Sequence, residues 1–201
     1  SRAIMTGEGD IMIAGGTESM TRAPFVMPKA TEAFTRTNAV YDTTIGWRFT
    51  NPKLAKMYYP YSMGETAENV AKHYNIARER QDEFAMHSQQ KAKEAILGGK
   101  FRNEITAVEI ISKKETIVFD VDEFPRLDTT LDKLAKLKPA FAKEGGTVTA
   151  GNSSGVNDGA CAILLASAEK ADELGLTKRA RIVSSAVAGV EPDCMGLGPI
   201  P

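Results

Sequence analysis

The sequence predicts an α/β protein, and three observations carry that expectation. Ala160-Cys161-Ala162-Ile163-Leu164-Leu165-Ala166 is apolar without interruption and reads as a strand buried on both faces. Asp10-Ile11-Met12-Ile13-Ala14 is a second, shorter apolar succession suited to the middle of a sheet. Between them, residues 77–97 repeat apolar side chains at helical spacing and stop at Gly98-Gly99.

The remaining elements follow in order. Ser1–Thr6 reads as the end of a helix stopped by Gly7-Glu8-Gly9. Strand 10–14 follows, and Gly15-Gly16-Thr17-Glu18-Ser19-Met20 is expected to turn sharply out of it, with Glu18 and Ser19 capping backbone groups. Residues 22–60 are poorly periodic and hold four prolines, yet they carry Phe25, Phe34, Tyr41, Trp47, Phe49, Tyr58 and Tyr59. So many aromatics argue against disorder and for an ordered excursion with short helices. A helix opens at Ser62 and ends near Tyr74-Asn75.

The helix over 77–97 presents Phe84, Ala85, Ser88, Ala92, Ala95 and Ile96 on one face, with Glu83, Gln90, Lys93 and Glu94 opposite. Glu104–Ser112 and Thr116–Phe119 read as strands around Lys113-Lys114-Glu115. Asp120, Asp122 and Glu123 read as a solvated loop rather than a cation site. Thr129–Leu137 reads as a short amphipathic helix with Thr129 or Thr130 as N-cap, broken at Pro139. Ser167–Leu174 reads as a capped helix stopped by Gly175, and Arg181–Ala188 as another strand.

Composition narrows the function classes. Hydrophobic residues make up 42%, charged residues 25%, and the net charge is −1. That balance lacks the basic excess expected for nucleic-acid binding. No apolar run approaches bilayer length, and the first residues do not read as a signal peptide. Cys161 and Cys194 fit no metal or redox spacing, so a reducing cytoplasmic setting is expected. His73 and His87 sit among polar neighbours without a second ligand at metal spacing and read as surface or half-buried structural residues. Ser1 looks like a helix already under way, and Pro201 ends no element, which reads as a piece of a longer protein.

The stretch Val148–Gly159 holds the chemistry-bearing loop. Gly151, Gly155 and Gly159 are separated by Asn152, Ser153, Ser154, Asn157 and Asp158, just before the apolar run. Glycines let a backbone approach a ligand closely, and the short polar side chains supply hydrogen-bonding groups. A tight turn capped by its own side chains fits the same pattern. Neither a Gly-x-Gly-x-x-Gly nor a Gly-Lys-Ser/Thr loop occurs, so a generic phosphate-binding domain is not supported.

Thr149-Ala150-Gly151-Asn152-Ser153-Ser154-Gly155-Val156-Asn157-Asp158-Gly159 resembles the Thr-Ala-Gly-Asn-Ala-Ser-Gly-Ile-Asn-Asp-Gly stretch of the thiolases. Ala14–Met20 resembles their Ala-Gly-Gly-x-Glu-Ser-Met segment, and Asp122-Glu123, Arg126 and Leu137–Phe141 align with the same pattern. Arg22–Met27 and Thr43–Phe49 resemble the branch acting on 3-oxoadipyl-CoA. Ser62 stands where many thiolases have histidine.

The resemblance implies a layered α/β/α thiolase core, incomplete here, with an inserted α+β loop domain. Residues 1–24 would end the N-terminal core domain, 25–146 form the loop domain, 147–178 return to the first core, and 179–201 begin the C-terminal core domain. Without further strands, 10–14 and 160–166 would expose apolar edges.

Thiolases make or cleave 3-oxoacyl-CoA by Claisen chemistry. The reaction needs a low-pKa thiolate, a base and oxyanion donors. The family's catalytic Cys/His/Cys motifs find no match in this chain, and by resemblance lie before Ser1 and after Pro201. Cys161 is expected to behave as a buried small hydrophobe, and neither cysteine is nominated as nucleophile.

What the resemblance carries over is the coenzyme A face. Arg126 would supply a guanidinium for the nucleotide end, Met63, Leu137 and Phe141 apolar wall, and Ala150 and Ser154 a carbonyl and a hydroxyl for the two amides. Simple core packing is the competing account of Leu137 and Phe141. No permanently bound cofactor is implied; coenzyme A and acyl-CoA are substrates, and the full-length protein would be a homodimer or homotetramer. A non-catalytic module that binds coenzyme A or mediates assembly is the alternative from another class.

Overall fold

The computed structural model describes residues 1–201. Along the chain come α1 (Arg2–Met5), β1 (Ile11–Glu18), β2 (Phe25–Val26), β3 (Tyr41–Asp42), α2 (Pro52–Met57), α3 (Met63–His73) and α4 (Arg78–Leu97). There follow β4 (Val108–Ile111), β5 (Thr116–Phe119), α5 (Leu131–Ala135), β6 (Gly159–Ala166), α6 (Ala168–Glu173) and a 3-10 turn over Pro192–Leu197. They fall into two compact units, one of residues 1–62 with 156–201, the other of residues 63–155.

In the first unit the two apolar segments expected to be strands pair with each other. β1 and β6 run antiparallel, from Ile11 opposite Ala166 to Glu18 opposite Gly159. The expected sharp turn at Gly15 does not form; the strand continues through Glu18. Gly15 makes this possible. A Cβ on Gly15 would lie 2.5 Å from the Cys161 carbonyl oxygen, so only glycine lets the two backbones come this close.

Burial of β6 and β1 on both faces is also not observed. Their sheet has two strands, each with one unpaired edge, and most residues along both strands are exposed. Ile13 is 77% exposed and Ile163 59%, and Cys161 is exposed with them rather than buried. The strand expected over 181–188 forms no ladder, and Val183 and Val187 are solvent-facing. An extended apolar segment becomes a strand only where another backbone pairs with it.

Local chemistry holds the rest of this unit. Ser167 accepts from the Lys170 amide as N-cap of α6, and its own amide donates to the Asp10 carbonyl. The Asp158 carboxylate accepts from the Thr21 amide at 2.9 Å, which holds its carboxyl below the usual range. In the 22–60 excursion one short helix forms, α2, capped by the Asn51 carboxamide, which accepts from Lys53 and Leu54 amides.

In the second unit the helices stand where the spacing puts them. α4 packs against α5, and Thr130 caps α5 by accepting from the Lys133 amide. β4 and β5 form a hairpin, Val108 opposite Phe119. The inward row of α4 differs from expectation. Phe84 is 79% exposed and Ser88 is exposed, whereas Asp82 is buried. The buried set of the unit joins Ala71, Leu134 and Val148 to the polar Thr66, Asp82 and Thr149. His73 and His87 are exposed.

Candidate functional site

The glycine loop is fixed from two helices by polar side chains. Glu68 of α3 accepts from the Thr147 amide at 2.9 and 3.0 Å through its two oxygens, from Thr147 Oγ1 at 2.8 Å, and from the Val148 amide at 2.8 Å. Thr149 is fully buried; its amide donates to Asn152 Oδ1 at 2.7 Å, and its hydroxyl oxygen accepts from the Gly151 and Asn152 amides. Asn152 Nδ2 in turn donates to Asp82 Oδ1 of α4 and to the Thr147 carbonyl, both at 3.0 Å. Polar groups withdrawn from water are stable only with such partners. The loop's conformation is therefore specified by Glu68, Asp82 and Asn152 rather than by glycine freedom alone.

The six expected coenzyme contacts all lie within this second unit. Phe141 lies over Gly64, where a Cβ would fall 2.3 Å from Cδ2 of the ring. Gly64 directly follows Met63, the first residue of α3, and Met63 is exposed. Leu137 lies against Gly151, where a Cβ would fall 2.4 Å from Leu137 Cδ1 and 2.6 Å from Leu134 Cδ2. Gly151 follows Ala150. The Ala140 amide donates to the Val148 carbonyl at 2.9 Å, so the segment 137–141 lies along the loop.

Leu137 and Phe141 remain 38% and 40% exposed, so they are half-open surfaces rather than filled core. Arg126 is exposed, its amide donating to Gln89 Oε1 of α4 and its carbonyl accepting from Thr129. Ser154 is exposed at the end of the loop. Two half-open apolar side chains beside a polar loop suit an elongated ligand with both apolar and amide character.

Sequence reasoning missed Glu68, Asp82 and the link from Asn152 to Asp82, while the local capping of the loop by its own side chains, here Asn152 on the Thr149 amide, is the turn reading given above. The available signal is that Asp82 falls in the helical row 78, 82, 85, 89, 92, 96, where a buried carboxylate needs a partner.

The Cys194 thiol is not tuned for nucleophilic work. Burial and the neighbouring Asp193 carboxylate raise the Cys194 thiol above its ordinary range, the opposite of an activated cysteine. The doubly substituted Cys161→Ser/Cys194→Ser protein is expected to keep any acyl-transfer turnover within about twofold. A steady-state assay checks it, and collapse of turnover in folded protein would assign a catalytic thiol here.

Residues 1–169 match the family described as Thiolase, N-terminal domain. The chain belongs to the thiolase family of acyltransferases. It is 53% identical over its whole length to the beta-ketoadipyl-CoA thiolase of Escherichia coli and to that of Pseudomonas aeruginosa, covering 50% of each. It is 49% identical to the acetyl-CoA acetyltransferase of Chromobacterium violaceum, again over 50% of that protein. The crystal structure of the Bacillus anthracis acetyl-CoA acetyltransferase superposes with a TM-score of 0.79 at 40% identity, over 98% of this chain and 48% of that one. The α/β thiolase fold expected from the sequence is thus the fold observed. The chain spans about half the length of the curated relatives it matches.

Proposed function

We propose that the protein is a thiolase that makes or cleaves a 3-oxoacyl-CoA, and that this chain holds coenzyme A for that reaction. The observation that carries the reading is the pair of close approaches at Gly64 and Gly151. Phe141 lies over Gly64, the residue after Met63, and Leu137 lies against Gly151, the residue after Ala150, on one unit and on a loop whose polar groups are fixed. In this reading Met63, Leu137 and Phe141 form apolar wall for pantetheine. The Ala150 carbonyl and Ser154 hydroxyl meet its amides, and Arg126 meets the adenine or phosphates. Coenzyme A and acyl-CoA are substrates; no resident cofactor is invoked. Residues 25–146 serve as the loop domain of a homodimer or homotetramer.

A 3-oxoadipyl-CoA substrate is favoured over acetoacetyl-CoA, because relatives named for beta-ketoadipyl-CoA reach 53% identity against 49% for one named acetyl-CoA acetyltransferase. No helix is long and apolar enough to cross a membrane.

The test is direct. The wild-type chain should bind coenzyme A in calorimetry, and the protein carrying it should cleave 3-oxoadipyl-CoA in the presence of free coenzyme A. Arg126→Ala is expected to raise KM for CoA esters about tenfold while kcat stays within about twofold, the mark of lost ground-state binding. An unchanged KM would remove Arg126 from the site, and no binding by wild type would remove the site itself.

A further inference from the structure

We propose that Arg78 is a positioning residue that sets the gap between the two walls of the coenzyme site; the inference rests on the reading of that site given above. One guanidinium touches the Leu137 wall directly and is linked to the loop through Asp82. Its Nε donates to Asp82 Oδ2 at 2.8 Å. Its Nη2 donates to the Leu134 carbonyl at 2.6 Å and to the Leu137 carbonyl at 3.1 Å. The Leu134 carbonyl, in the last turn of α5, also accepts from the Leu137 amide at 3.0 Å, so the guanidinium is its second donor, and a cation is well matched to this end of a helix. On the other side, Asp82 Oδ1 accepts from Asn152 Nδ2, and Asn152 Oδ1 accepts from the Thr149 amide. The backbone of Leu137 and the backbone just before Ala150 are therefore tied to one planar group through a chain of four side-chain and backbone contacts.

The side chain of Arg78 is 19% exposed and that of Asp82 5%, so solvent competes little for these bonds. Leu137 also packs on Gly151, so a change in the guanidinium position moves the apolar wall against the loop. A guanidinium spans separated acceptors with fixed donor directions; an ammonium concentrates its donors at one point. Lysine at this position keeps the charge opposite Asp82 but cannot hold both ends of the gap.

Arg78→Lys discriminates positioning from simple support. Melting temperature, coenzyme A dissociation constant and amide hydrogen exchange are measured on wild type, Arg78→Lys and the exposed-pair variant Arg80→Ala. The expected result for Arg78→Lys is a folded protein whose dissociation constant rises about tenfold and whose Thr149 amide exchanges faster, with Arg80→Ala unchanged in both. A purely supporting Arg78 would lower the melting temperature and leave the dissociation constant of the folded protein within about twofold, which overturns the proposal. If wild type itself does not bind coenzyme A, the functional reading fails. Thr149 exchange then decides the linkage: unchanged protection in Arg78→Lys overturns it, and lost protection upholds it.

Discussion

Asp82→Ala is expected to destabilise the second unit by about 3 kcal/mol. The carboxylate is buried and has two different partners, the Arg78 guanidinium on one oxygen and the Asn152 amide on the other. Removing it leaves a mostly buried cation without its counter-charge, held only by two carbonyls, and leaves one of the two Asn152 Nδ2 donor positions unfilled, the other still meeting the Thr147 carbonyl. Each omission carries a desolvation cost of order 1–3 kcal/mol. The ion pairs Arg80–Glu83 and Lys178–Asp172 make the contrast. Their side chains are largely in water, so their loss is expected to cost about 0.5 kcal/mol or less. Urea denaturation measures both classes. A double-mutant cycle of Asp82→Ala with Asn152→Ala should return a coupling of about 1–2 kcal/mol, because the second substitution removes the donor that the first left unsatisfied. A loss under about 1 kcal/mol for Asp82→Ala would mean that water reaches the site and that the loop is not held as described.

The helices were legible in the sequence because their signals are local. Spacing, a capping threonine or serine, and glycine stops placed α3, α4, α5 and α6 to within a few residues. The hairpin of β4 and β5 was legible for the same reason, two β-branched runs close in sequence. The apolar run at 160–166 and the segment at 181–188 carry equally strong strand composition, yet only the first pairs. Pairing depends on a distant backbone, and no local pattern states which segment finds one. The same distinction governs the site. Leu137, Phe141, Ala150 and Ser154 were named through family resemblance, but the residues that fix the chain around Leu137 and Ala150 sit on other elements: Arg78 is 59 positions from Leu137, Asp82 70 from Asn152 and Glu68 79 from Thr147. Periodicity even misled at Phe84: it takes the outer face of α4 because Asp82 takes the inner one, drawn there by Arg78 and Asn152 rather than by hydropathy.

Gly64→Ala is expected to weaken coenzyme A binding about tenfold or more while changing stability by no more than about 1 kcal/mol. A Cβ on Gly64 would sit 2.3–2.4 Å from three atoms of the Phe141 ring, far inside contact distance, so the ring must leave. Overpacking of this kind costs about 1–3 kcal/mol where neighbours are locked. Phe141 is 40% exposed rather than locked in the core, which keeps the cost at the lower end. Gly64 is the second residue of α3, where alanine gains up to about 0.5 kcal/mol over glycine, less than in a helix interior, and this offsets part of that cost. Affinity has no such compensation, because the displaced ring is the wall the ligand would rest against. Combining Gly64→Ala with Phe141→Ala makes the argument self-checking. Once the ring is displaced its removal should add little, so the double variant binds coenzyme A about as weakly as either single one. Fully additive losses would show that Gly64 and Phe141 act separately. Undiminished binding in Gly64→Ala would show that Phe141 packs there for the fold and contributes nothing to holding the coenzyme.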